Sequence, residues 1–132
     1  MKRTIYEAEH EAFRDTVRGY IDSELVPNAE KWEADRIVDR SAYVAAGKHG
    51  LIGFNMPEEY GGNDLGFISH AYMNEIVAWS PGAAPMFGVV APNSGNQKVL
   101  VKYATPEQKK KWLEPLVRGE TQSCFSMTEP EV

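Results

Sequence analysis

Thr105-Pro106-Glu107-Gln108-Lys109-Lys110-Lys111-Trp112-Leu113 runs on through Leu116 and Val117 to Gly119, and Gln122-Ser123-Cys124-Phe125-Ser126-Met127-Thr128 follows almost at once. The first part reads as a helix with both ends marked. Thr105 suits the N-cap, Pro106 the first helical position, where its missing N–H costs nothing, and Gln108 is placed to close a capping box. Trp112, Leu113, Leu116 and Val117 are expected to face a core, and Gly119 ends the helix. In the second part the period changes to two, which puts Phe125 and Met127 on one face of an extended strand. A strand needs partners for its main-chain donors and acceptors, and none is implied elsewhere in the chain. The expectation is an all-α unit over residues 1–121, bundle-like, followed by a strand over residues 122–128 without its mate.

Upstream the helical pattern continues. Phe13, Val17, Ile21 and Leu25 recur every fourth residue with charges between them, which predicts an amphipathic helix over residues 6–25, ended by Pro27. A shorter piece is expected through Glu30-Lys31-Trp32-Glu33. Another runs from Arg40 to His49, capped by Asp39 and closed by Gly50. Met56-Pro57-Glu58-Glu59-Tyr60-Gly61-Gly62-Asn63-Asp64-Leu65-Gly66 is a loop by composition. Ile68, Tyr72, Ile76 and Trp79 then repeat at helical spacing until Ser80-Pro81-Gly82 stops the pattern. Prolines at 81, 85 and 92 leave residues 80–93 open to two readings, a separate short helix or one long kinked helix.

Composition narrows the classes. A chain of 132 residues, 42% hydrophobic and 25% charged, is the size and make-up of one soluble globular domain with a real core. A net charge of -5 argues against a nucleic-acid partner, because phosphates are held by clustered Lys and Arg. Three consecutive lysines, 109–111, fan around most of a helical turn and read as a solvated face. The single Cys124 permits no intrachain disulfide and fits a reducing, cytoplasmic compartment. The start, Met1-Lys2-Arg3-Thr4-Ile5-Tyr6-Glu7, lacks the apolar core of a signal peptide, and no apolar run approaches the roughly 20 residues of a membrane span.

Motifs for chemistry are scarce. His10, His49 and His70 have no second ligand at metal-site spacing, so no metal site is expected. No GxSxG, GxGxxG or Walker pattern occurs. Glu58-Glu59 reads as helix capping or a solvated pair, not as acid and base.

Three segments, Pro57-Glu58-Glu59-Tyr60-Gly61-Gly62, the run from Tyr103 to Leu113, and Cys124-Phe125-Ser126-Met127-Thr128-Glu129-Pro130, together resemble acyl-CoA dehydrogenases in order and spacing. The resemblance covers essentially the whole chain. It implies the N-terminal helical domain of that fold, with residues 122–132 opening a middle β domain that the sequence given does not complete. It also implies FAD as cofactor and an acyl-CoA substrate desaturated at its α,β bond. A glutamate removes the proton beside the carbonyl while a hydride leaves the next carbon for the flavin, whose electrons pass to an electron-transfer flavoprotein. That glutamate belongs to the family's C-terminal part, so no catalytic residue is expected here. Carried over by position, Phe125, Met127 and Thr128 would line the flavin, and Phe87, Gly88, Ala91 and Gly95 the acyl pocket. Gly95 stands where a bulkier residue is usual, which implies room for a longer or branched acyl group, unless Ser94-Gly95-Asn96 is simply a turn. The intact protein would be a homodimer or homotetramer. Two rival readings share these features: a catalytically silent helical acyl-binding or protein-interaction module, and an acyl-CoA oxidase of the same superfamily.

Overall fold

The four-residue spacing on the first helix produces the buried stripe it demands. Val17, Ile21 and Leu25 are buried, and Phe13 packs half-buried against the same core, its ring 5.4 Å from that of Phe54. The computed structural model describes residues 3–80 and 82–131, and every regular element among them is helical. Met1, Lys2, the Pro81 of the expected stop signal and the closing Val132 lie outside the described residues. In chain order the α-helices are α1 (Ala8–Tyr20), α2 (Ala29–Asp35), α3 (Arg40–Lys48), α4 (Phe67–Val77), α5 (Ala83–Met86), α6 (Asn93–Tyr103), α7 (Pro106–Gln108) and α8 (Glu114–Val117).

Pro27 does not end the helical path as the sequence suggested. A π-helical turn, Ile21–Leu25, follows α1, and a 3-10 turn, Val26–Asn28, leads into α2. The widened turn bonds the Val26 N–H back to the Ile21 carbonyl, and Pro27 falls at the start of the next turn, where its missing donor is not needed. A second π turn, Lys109–Leu113, joins α7 to α8. The Thr105–Gln108 capping box is present in both directions, with the Gln108 side chain 2.9 Å from the Thr105 N–H. Asp39 precedes α3 as expected but its side chain caps nothing there. Its carboxylate accepts from Trp32 Nε1 at 3.1 Å and sits beside Lys31, tying α2 to the start of α3.

One core holds most of the unit. α1 packs on α4, and Leu51, Ile52 and Phe54, each 1% exposed, belong to the same core, the Phe54 ring meeting Phe13 of α1 and His70 of α4. A smaller cluster of Met56, Leu113 and Val117 joins α8 to the glycine-rich loop. Tyr6 stacks on Tyr72 with ring centroids 3.9 Å apart, and Arg3 pairs with Glu75, so the segment before α1 is pinned to α4.

Two expectations need correction. α4 buries Ser69, Tyr72, Met73, Ile76 and Val77, whereas Ile68 is partly exposed and Trp79, past the helix end, is 82% exposed. Trp112 does not face a core either: it is 54% exposed, with Lys111 over its ring. Leu113, Leu116 and Val117 are buried as expected, and Trp112 falls on the π turn Lys109–Leu113, whose wider winding changes the angle between its side chains. The open question over residues 80–93 resolves to a separate short helix, α5, followed by a break before α6.

The segment expected as a strand carries no regular structure in residues 121–129. Among the described residues there is no strand for it to pair with, and an unpaired strand has no ladder to form.

Candidate functional site

The head of α6 is the place where the residues singled out in sequence meet. Gly88 leaves α5 in the left-handed region, φ 65°, and the chain passes through Val89 to Pro92 before α6 begins at Asn93. Phe87 is fully buried, its ring edge-on to Tyr20 at 5.8 Å, so it belongs to the main core. Gly88 is buried beside Asn93. Ala91 and Gly95 are at the surface. The four expected acyl-wall residues thus divide into an inner pair and an outer pair on either side of the same turn.

The three expected flavin-lining residues are all exposed: Phe125 by 51%, Met127 by 78%, and Thr128 beyond them. Phe125 lies against Gly95; a Cβ added to that glycine would meet the Phe125 ring tip at 3.9 Å, an ordinary contact. Two residues named for different roles therefore share one edge of the molecule.

Asn93 makes this junction, and sequence reasoning passed over it. Its Nδ2 donates to Gln122 Oε1 at 2.6 Å, and its Oδ1 accepts from the Ser123 N–H at 2.9 Å and from the Ser123 hydroxyl at 2.6 Å. Asn93 and Gln97 lie one turn apart on the inner face of α6, buried to 5% and 1% exposure. Two amides at helical spacing facing inward is the signal that would have marked them, because buried polar side chains are the informative exceptions. Gln97 Nε2 has no hydrogen-bond partner among the described residues.

On its outer face α6 carries Gly95, Val99 and Tyr103 at successive fourth positions, with Val99 56% and Tyr103 71% exposed. Phe125 adds its ring beside Gly95, and exposed apolar side chains gathered on one face are the kind that mark an interaction surface. His70, half-buried under this region, stands 3.1 Å from Asn55 Nδ2. Burial and then the Lys98 charge hold its imidazole below the ordinary histidine range. Lys109 donates to the Tyr60 hydroxyl at 3.0 Å and lies over that ring. Among the described residues no three His, Cys, Asp or Glu side chains come together to hold a metal ion. No helix there is long and apolar enough to cross a membrane. A cavity of about 880 Å³, lined by Leu25, Ala29, Trp32, Ile37 and Met86 among others, lies elsewhere and includes none of the expected site residues.

The family model described as acyl-CoA dehydrogenase, N-terminal domain, matches residues 7–120. The chain belongs to the acyl-CoA dehydrogenase family. It is similar to the long-chain specific acyl-CoA dehydrogenase, mitochondrial, of Mus musculus, at 33% identity over 132 residues, covering 97% of this chain and 29% of that protein. Its fold is similar to the crystal structure of acyl-CoA dehydrogenase from Geobacillus kaustophilus, with a TM-score of 0.81 and 28% identity over 99% of this chain and 34% of that one. A glutaryl-CoA dehydrogenase from Mycobacterium smegmatis, solved in complex with FADH2, shares the fold at a TM-score of 0.74 and 22% identity, covering 96% of this chain and 32% of that one. The chain thus spans about a third of the length of these acyl-CoA dehydrogenases.

A flavin's chemistry suits the outer edge of this family member's α6. Phe125 and Met127 present apolar surface, and among the described residues the main-chain N–H groups of 124–128 make no hydrogen bond. An aromatic ring with polar atoms at its rim calls for that combination of apolar contact and unspent donors.

Proposed function

We propose that this chain is the N-terminal part of an FAD-dependent acyl-CoA dehydrogenase that introduces an α,β double bond into an acyl-CoA thioester and passes the electrons to an electron-transfer flavoprotein. One observation carries the reading within the family: the ring tip of Phe125, from the segment proposed to face the flavin, lies 3.9 Å from where a Cβ on Gly95, from the wall proposed to face the acyl chain, would stand. The reacting carbons of a desaturase must lie between those two partners, and here the two surfaces adjoin. When bound, FAD supplies the hydride acceptor. Phe125 and Met127 give its ring an apolar floor. The Thr128 hydroxyl and the free N–H groups before it are donors for the negative charge a reduced flavin gathers, and donors aimed at that charge favour electron acceptance. Gly95, with no side chain, and Ala91 leave width for a longer or branched acyl group, while Phe87 and Gly88 support that wall from inside. No side chain of this segment acts as the base.

On this reading residues 1–121 are the helical domain and 122–132 open the β domain. The intact protein is a homodimer or homotetramer, and the lone Cys124 supports a reducing compartment, the cytoplasm. The test is the visible spectrum of the protein carrying this chain, recorded anaerobically with palmitoyl-CoA and with butyryl-CoA. A yellow protein bleached by acyl-CoA, more readily by the longer one, supports the proposal. A flavin that stays oxidised with both, or no flavin at all, sinks it.

A further inference from the structure

We infer that Asn93 is a positioning residue: its carboxamide clamps residues 122–123 to the head of α6 and so holds Phe125 over Gly95. What the clamp serves rests on the dehydrogenase reading above; the clamp itself does not.

Three hydrogen bonds converge on this one side chain, using both its donor and its acceptor end. Asn93 itself is 5% exposed while Gln122 and Ser123 lie nearer the surface, so the tie is part-buried, with its Asn93 end shielded from competing water. Ser123 is the last anchored point of the tail. Among the described residues no main-chain N–H of 124–128 is bonded, so the course of Phe125 is set by where Ser123 is held. Two residues of extended chain span roughly 7 Å, so fixing Ser123 keeps Phe125 within that reach of the clamp. The same Asn93 abuts the turn at Gly88, where an added Cβ would lie 3.5 Å from the Asn93 Cβ. One side chain therefore lies beside the inner acyl-wall turn and bonds the flavin-facing tail, so the distance between the two runs through it. Reactions that depend on such a distance lose on the order of a hundredfold in rate for a misplacement of 1 Å.

The experiment uses the flavin-loaded protein that contains this chain, with Asn93→Leu, which keeps the volume and removes the bonds, and Asn93→Asp, which keeps the oxygen that Ser123 donates to. Amide hydrogen exchange at 123–125, the flavin absorption spectrum, and kcat and KM for palmitoyl-CoA are measured for each. In the Leu variant, exchange at Ser123 is expected to rise by about tenfold or more. The flavin bands should shift, and kcat should fall by roughly 10- to 100-fold with a smaller change in KM. The Asp variant should recover protection, spectrum and kcat together. Should Asn93→Leu fail to fold, Ser123→Ala removes one bond from the exposed side and is expected to move the same readouts in the same direction by less. Unchanged exchange at Ser123 in these variants overturns the clamp, and faster exchange with wild-type spectrum and kcat overturns its positioning role. A wild-type protein without flavin or without acyl-CoA bleaching instead removes the dehydrogenase reading, and with it the purpose of the clamp, while the exchange data still decide whether the clamp exists.

Discussion

Gly19 in α1 and Gly47 in α3 are both helical glycines, yet a methyl group has opposite consequences at the two. Nothing lies within 4 Å of a Cβ built on Gly19, which is exposed. Alanine there should stabilise by about 0.5–1 kcal/mol, the difference in helix propensity. A Cβ on Gly47 would collide with the Arg118 carbonyl, a main-chain atom that cannot swing aside. Gly47→Ala should therefore cost about 1–3 kcal/mol, as overpacking does in a filled interior, and outweigh the propensity gain. Urea unfolding followed by far-ultraviolet circular dichroism separates the two, and a Gly47→Ala protein as stable as the parent would mean that α3 does not approach the end of α8 so closely. Neither glycine stood out in the sequence. Helical periodicity shows which face is buried but not how near two backbones come, and that distance is what makes Gly47 necessary.

Between elements, Tyr20 ties α1 to α3, its hydroxyl donating to the Ala42 carbonyl at 2.8 Å while its ring meets His49 and Phe87 edge-on. Burial, then the nearby Glu24 charge, push its pKa up to about 12. The ordinary value is about 10. A folded-state pKa above the unfolded one means that the folded protein keeps the proton longer. The stabilisation is complete below about pH 10 and is lost as pH rises through about 12. Tyr20→Phe should cost about 1 kcal/mol at neutral pH through the lost hydrogen bond and should flatten the decline at alkaline pH. Thermal unfolding midpoints of the two proteins across that pH range test this, and parallel curves would refute it. At this scale the sequence was informative where one residue type has one use. The Thr105 capping box and the four-residue stripe of α1 both appear where they were expected. It foresaw Leu113, Ile21 and Leu25 as buried but not the two π turns that carry them, nor that Trp112 turns out to solvent, because a widened turn depends on packing against other elements and leaves no local mark.

For the molecule as a unit, the helical architecture and the family were legible from three short segments in register, whereas the arrangement of the candidate site was only half legible. Gly95 and Phe125 were each named, but their contact depends on Asn93, whose partners lie 29 and 30 residues away. Such a distant hydrogen bond has no periodic signature. The same three bonds bear on where the helical unit ends. Among the described residues, those beyond Thr121 add nothing to either buried cluster, and Phe125 and Met127 are 51% and 78% exposed. Removing residues 122–132 therefore takes away little buried apolar area, and the Asn93 carboxamide it uncovers can bond to water instead of being left unpaired. The shortened protein, residues 1–121, should unfold in one cooperative transition within about 1 kcal/mol of the longer chain, a few degrees at most. It should also be less prone to self-association, since two large apolar side chains leave its surface. Differential scanning calorimetry and sedimentation velocity on both lengths measure these outcomes. A collapse of the transition on removing the tail would mean that 122–132 belongs to the helical unit, and that the proposed boundary between helical and β domains lies further along the chain.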